Sequence, residues 1–349
     1  MRWDNLRLVE PERDGRLSLP LLEQGATVRT FDTPEFRGIT FYEIHAKSII
    51  NRVPEVSRVP FRWTINPYRG CSHACFYCFA RNTHTYLDLD YGEDFNSKIV
   101  VKVNAEQLLR KELAAKSWKG EHIAMGTNVD PYQRAEGRYR LMRGILSVLR
   151  DHANPFSILT KGSLILRDID LLQQCAALAE VGTNVSVGFV DQALWRSLEP
   201  GTPSPRKRLE VCRKLNQAGI PCGVLMAPII PFLADSPEHL AATVEAIAQT
   251  GATYVSPILL HLRTGAREWY LQWLAENHPD LVERYRRLYG RGAYAPKAYQ
   301  EEISGRVHEL ARRFGIGQTG PKDARRIGAT ADAGTSNPPD GAFEQLSLM

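Results

Sequence analysis

Residues 62–82 read RWTINPYRGCSHACFYCFARN, and within them Cys71, Cys75 and Cys78 form C-x3-C-x2-C. Six cysteines placed at random over 349 positions would supply that spacing only about 0.002 times. Three soft thiolates so close in the chain are suited to surround one metal centre. Structural zinc sites want four ligands, usually as two separated pairs, and iron–sulfur cubanes are normally held by four thiolates. Three thiolates on a cubane leave one iron open, the condition a catalytic metal needs for its substrate. Two other readings fit the letters: zinc with His73 or His84 as fourth ligand, and three buried cysteines with no ligand.

The loop follows the first of six short apolar or β-branched runs, at 61–66, 122–126, 155–160, 184–189, 221–227 and 253–260. Helical patterns lie between them at 105–115, 139–151, 168–180, 204–218 and 236–250. Asp168 and Ser236 occupy N-cap positions, and Ser204-Pro205 puts a proline at the first helical position. Gly219 and Gly251 fall where C-terminal caps belong. Such alternation predicts a parallel sheet covered by helices, either open and doubly wound or rolled into a barrel. In both, the ligand site belongs at the carboxyl ends of the strands. Outside this frame, Ile39-Thr40-Phe41-Tyr42 reads as a short strand and the run 99–103 as an extra one. A longer helix rich in Trp and Arg is expected over 266–289. The stretch after Gln318, poor in large apolar residues, reads as a disordered tail.

Composition excludes whole classes. The 349 residues are 43% apolar and 24% charged with a formal net charge of +5, unlike a disordered, collagenous or membrane-embedded chain. The first residues carry charge throughout and no apolar core of signal-peptide length. Six cysteines in so long a chain do not resemble a disulfide framework, so a cytoplasmic protein is expected. The positive charge is local: between Glu283 and Arg326 eleven Lys/Arg face five acids, a surplus of +6, and the other residues sum to −1. That asymmetry points to a polyanion partner.

The cysteine spacing with Tyr77 just before the last cysteine resembles the motif of the radical S-adenosylmethionine (SAM) superfamily. The likeness extends over about 61–261. INPYRGCSHAC, GTNVDPYQRAE and ILTKGSLILRD bring the chain nearest to spore photoproduct lyase-like proteins of actinobacterial type. The resemblance implies an α/β fold, a partial (β/α)6 TIM-like barrel with an N-terminal extension and a C-terminal helical basic region. It divides the chain into an extension 1–56, a radical SAM core 57–265, a basic helical region 266–317 and a tail 318–349. It also implies a [4Fe-4S] cluster on Cys71, Cys75 and Cys78, S-adenosyl-L-methionine on the open iron, and an electron donor such as a flavodoxin or ferredoxin. The reaction implied is reductive cleavage of SAM to a 5′-deoxyadenosyl radical.

The same likeness nominates cofactor-binding residues. Tyr77 would pack near the adenine. Thr127 and Asp130, in the Gly126-Thr127-Asn128-Val129-Asp130 turn after the second run, would receive the methionine amino group, although such a turn also has structural uses. Lys161 would pair with the methionine carboxylate or stand solvated at a strand end. Ser186 matches the ribose-contacting hydroxyl or fills the core. Of the basic run Arg206, Lys207 and Arg208, which otherwise reads as a solvated face, Arg208 matches best. His261 closes the sixth run and otherwise reads as a satisfied loop histidine. One departure stands out: photoproduct lyases carry a hydrogen-donating cysteine near the second strand's end, where this chain reads MGTNVDPY. Tyr132, from its position alone, could substitute there as a hydrogen-atom relay.

Two features concern partners. Tyr285, Tyr289, Tyr294, Tyr299 and Phe314 interleave with the basic residues, a mixture suited to nucleic acid, with phosphates on cations and bases on rings; a solvated basic face explains it equally. Gln345-Leu346-Ser347-Leu348-Met349 resembles the bacterial peptide that binds the DNA sliding clamp, with Met replacing Phe; a tail docking on its own domain is the alternative. Together these readings predict a radical SAM enzyme acting in DNA repair or nucleic-acid modification. The rival is a non-catalytic protein, stabilised by zinc or Fe-S, that binds nucleic acid. No membrane partner is expected.

Overall fold

The computed structural model describes residues 26–55 and 59–317. The tail 318–349, with the Gln345–Met349 peptide, lies outside the described residues, as do residues 1–25 of the N-terminal extension and the boundary near residue 57.

The described strands run β1 (Thr27–Thr30), β2 (Thr40–Ile44), β3 (Ile50–Arg52), β4 (Trp63–Ile65), β5 (Tyr68–Arg69), β6 (Lys98–Lys102), β7 (Ile123–Met125), β8 (Phe156–Thr160), β9 (Val181–Ser186), β10 (Cys222–Ile229) and β11 (Val255–Leu259). Seven of them form one sheet in the order β11-β10-β9-β8-β7-β4-β3. Each neighbour from β4 to β11 pairs in parallel, while β3 is antiparallel to β4. Six parallel strands in chain order, separated by helices, are the predicted (β/α)6 array. Among the described residues β11 does not pair with β3, so the barrel is partial.

Apolar side chains on the outer face of the strands, among them Ile123, Phe156, Ile158, Val185 and Val224, pack in one core with Leu109, Leu113, Ile145, Leu149 and Leu215 of the covering helices. Each such buried side chain contributes about 1.5–3 kcal/mol. The opposite face carries residues such as Gly182, Asn184 and Ser186, two apart on one strand and so on one side.

The second sheet, β1-β2-β6-β5, is built from the extension and the run at 98–102. Strand β2 lies parallel to β6 with Phe41 opposite Ile99, and β5 joins β6 antiparallel. The cysteine loop therefore leaves a strand of the small sheet, not the barrel strand itself.

Four expectations need correction. The fourth strand is Val181–Ser186 and not 184–189; its register is set by β8 and β10 on either side, with Val185 opposite Thr160 and Val224. The helix expected over 139–151 divides at Arg140, whose φ of 51° ends Arg134–Tyr139 and precedes Leu141–Asp151. The helix expected over 266–289 is three pieces, Ala266–Asn277, Pro279–Leu281 and Val282–Tyr289, because Pro279 disfavours helical geometry at His278. Two of the interleaved tyrosines, Tyr285 and Tyr289, are not presented for stacking. Tyr285 donates to Pro231 O at 2.6 Å and Tyr289 to Leu260 O at 2.6 Å, and both are buried. They fasten the C-terminal region onto the ends of β10 and β11. Among the described residues no helix is long and apolar enough to cross a membrane.

Candidate active site

Four loops converge at the carboxyl ends of the parallel strands. The cysteine loop docks on the segment after β9 through two backbone bonds, Phe76 N to Leu198 O at 3.1 Å and Gly201 N to His73 O at 3.0 Å. A Cβ at Gly201 would lie 2.1 Å from Ser72 O, so only glycine permits this approach. Gln133, from the loop after β7, braces the other side: its amide donates to Gly70 O at 2.9 Å and accepts from Ser72 N at 2.9 Å.

Beneath the loop lies Arg81, fully buried. Its Nε and Nη2 donate to Cys75 O at 3.1 and 2.9 Å, Nη1 to Tyr91 O and Gly92 O, and Nη2 also to Asn96. Phe95 and Trp269 present ring faces to it at 5.2 and 5.0 Å. The guanidinium keeps its charge next to the cysteines with every donor used.

Cys71 and Cys75 are buried, Cys78 is half-buried, and all three are free thiols. Burial pushes all three up, Cys75 to about 12, with the charge of Glu199 adding to burial there. Thiolates in this pocket need positive charge, which a bound metal centre would supply. Among the described residues no three His, Cys, Asp or Glu side chains are grouped to hold one metal ion. Of the two histidines in the zinc reading, His73 Nδ1 faces Asp130 Oδ2 at 3.3 Å, and His84 Nε2 meets Lys98 O at 2.9 Å while its Nδ1 is buried without a partner.

The nominated cofactor residues fall into one connected hub. Lys161 Nζ donates to Ser186 Oγ at 2.6 Å and stands 5.7 Å from the Tyr77 ring centroid. Ser186 Oγ donates to Ala227 O at 2.7 Å, and Arg208 Nη1 to Ser186 O at 2.7 Å. Tyr77 Oη and Arg208 Nη2 both donate to Glu199. Burial alone would raise Glu199, but the charges of Arg208 and Lys161 outweigh it and hold the carboxyl below its usual range. Glu199 is a residue the sequence reading missed; nothing in its spacing marks it.

Asp130 is committed elsewhere. Its oxygens accept from Tyr132 N at 2.9 Å, Thr160 Oγ1 at 2.6 Å and Lys161 N at 2.6 Å, besides His73. It ties the ends of β7 and β8 to the cysteine loop. Burial would raise its carboxyl; His73 and the hydrogen bonds hold it below the usual range. Thr127 beside it is the opposite case: its buried Oγ1 has no partner, and neither has Asn128 Oδ1. The unsatisfied Thr127 hydroxyl, on a turn that begins at Gly126 with φ of 88°, suits an incoming amino group.

Tyr132 Oη donates to Asp168 at 3.1 Å, a buried carboxylate that also takes Arg143 and Arg167. Its hydroxyl is thus turned into an ion-pair cluster at the start of the helix Ile169–Leu178. His261 stacks between Phe79 and Tyr294, at 5.4 and 5.7 Å, with Nε2 buried and unpartnered. Cys175, Cys212 and Cys222 are buried in the helix–sheet core.

The family model of the Radical SAM superfamily matches residues 65–247. An uncharacterised protein of Mycobacterium tuberculosis is 47% identical over 90% of this chain and 93% of its own length. Another, from Methanocaldococcus jannaschii, is 32% identical over 70% of this chain and 86% of its own. Among solved structures, spore photoproduct lyase complexed with dinucleoside spore photoproduct superposes with a TM-score of 0.62 at 16% identity, covering 79% of this chain and 80% of that one. At that identity the likeness is one of fold.

Proposed function

Since the chain belongs to the radical SAM superfamily, we propose that it holds a [4Fe-4S] cluster on Cys71, Cys75 and Cys78 and cleaves SAM reductively to modify a nucleic-acid substrate. Reduced, such a centre supplies the electron that splits the sulfonium into methionine and a 5′-deoxyadenosyl radical, which abstracts a hydrogen atom from the substrate.

The observation that carries the cofactor reading is the hub of Tyr77, Lys161, Ser186, Glu199 and Arg208 beside three free cysteines in one buried loop. Thr127 Oγ1 is an acceptor for an ammonium. Lys161, whose Nζ faces the Tyr77 ring at 5.7 Å, is the group for a carboxylate. Glu199, held ionised, fixes Tyr77 and Arg208 in place. Docking of the loop against residues 198–201 keeps water from the sulfurs.

The nucleic-acid reading rests on the C-terminal region. Arg284, Arg286, Arg287, Arg291, Arg312 and Arg313 are exposed, while the buried tyrosines hold the helices that carry them. An electron donor of the flavodoxin or ferredoxin class belongs to the same proposal, as does a sliding-clamp contact through the tail.

Anaerobic reconstitution tests the first part. The chain should bind about four irons per cluster and release 5′-deoxyadenosine when given dithionite and SAM, and Cys75→Ala should do neither. A colourless protein with one zinc and no 5′-deoxyadenosine would end the proposal. Duplex DNA or tRNA that binds equally well after Arg284, Arg286 and Arg287 are changed to Gln would count against the nucleic-acid part.

A further inference from the structure

Between the small sheet and the rim of the barrel lies a cavity of about 30 Å³ within an indentation of about 400 Å³. Its centre exceeds what one water requires. Asn51, Asn66, Arg69, Thr83, Lys102 and Asn128 supply its polar walls. Lys102 is 3% exposed and ends β6. Arg69 lies on the neighbouring strand β5, opposite Val100. Two cations therefore share one enclosed space.

Burial first, then the charge of Arg69, lowers Lys102 to about 7. Glu112 is the carboxylate acting on Lys102, and its two oxygens accept from Ile49 N and Ile50 N at 3.0 and 2.8 Å. The amides add to the picture. Asn66 and Asn128 follow the carboxyl ends of β4 and β7, and both side-chain oxygens are buried without partners. An amide rotated end for end presents its NH2 where its oxygen stood.

We propose that this cavity is an oxyanion site for a phosphate group, with Arg69, Lys102 and the amides of Asn66 and Asn128 as donors. Arg and Lys are the side chains that bind phosphate, one through a planar fork and one as a point charge. The position gives the site its use. Asn128 follows Thr127 on the cofactor turn, and Gly70 precedes Cys71, so a phosphate held here flanks the reacting centre. That the phosphate is a substrate's rests on the nucleic-acid reading above; the anion site does not.

The test uses the full-length chain, as purified without iron, titrated calorimetrically with inorganic phosphate, pyrophosphate and a short single-stranded oligonucleotide at low salt. Phosphate and pyrophosphate should bind, and Lys102→Met and Asn128→Asp should each weaken both at least tenfold. Lys116→Gln, at an exposed cation outside the cavity's walls, should leave phosphate binding unchanged. A parent chain that takes up no phosphate, or a Lys102→Met and Asn128→Asp pair that binds it as tightly as the parent, overturns the site. Competition by SAM alone, with phosphate and SAM mutually exclusive, would assign the cavity to the cofactor carboxylate and overturn it too. An oligonucleotide indifferent to Lys102→Met, with phosphate binding abolished by it, keeps the anion site and removes the nucleic-acid reading.

Discussion

Glu199→Gln isolates one charge at the heart of the hub. Glu199 is 0% exposed and Arg208 1%. Two donors, Tyr77 Oη and Arg208 Nη2, converge on the carboxylate. The substitution keeps volume and one acceptor but leaves the guanidinium without a counter-charge. Removing one member of a buried ion pair costs about 3–5 kcal/mol, whereas replacing both can be near neutral. Urea unfolding of the full-length chain, followed by far-UV circular dichroism, should therefore show each of Glu199→Gln and Arg208→Met destabilised by about that amount. The double variant should lose less than the sum, with a coupling of about 0.5–3 kcal/mol. The pH dependence has a definite sign. Because the folded carboxyl lies below its unfolded value of 4.5, its stabilisation is complete above that value. It is lost as pH falls from 4.5 through the lower folded value. A Glu199→Gln chain within about 1 kcal/mol of the parent, or strict additivity in the cycle, would refute the argument.

Three further outcomes follow from the same region. Arg81→Met strands the carbonyls of Cys75, Tyr91 and Gly92 and should cost on the order of 3–6 kcal/mol, measured by urea unfolding. Gly201→Ala pushes a methyl onto Ser72 O; about 1–3 kcal/mol of stability should go, and reconstituted iron content should fall with it. His84, lowered by burial to about 4 from 6.5, stays neutral in the folded chain while the unfolded chain protonates. Stability should drop as pH falls from 6.5 towards 4, by up to about 1.4 kcal/mol per pH unit from this group, and His84→Gln should flatten that slope.

Much of the barrel was legible because its signals are local. Ser204 and Ser236 accept from Lys207 N and His239 N as caps do, and Gly219 and Gly251 sit at φ of 76° and 69°. Asp168 shows where local reading stops: it stands at the N-cap position but makes no cap bond, its carboxylate being taken by Tyr132, Arg143 and Arg167. Strand β9 begins earlier than expected because Gly182 and Asn184 have weak strand preference yet lie between two parallel partners. The small sheet was illegible as a sheet since β2 and β6 meet across more than fifty residues of chain. At the site, cysteine spacing identified the loop and Lys161, Ser186 and Arg208 proved to be linked. Glu199, Gln133 and Arg81 were invisible because each acts by bridging loops that no spacing relates.

The contacts of Trp269 set how small the working unit can be. Its ring stacks on Phe76 at 5.8 Å and 11° and faces Arg81, so a residue beyond the stretch shared with distant superfamily members forms the back wall of the loop bearing the three sulfurs. A chain cut at residue 265 would retain every strand and every cysteine yet lose that wall. Grafting the common barrel alone into another protein would carry over the ligands without the support that orients them.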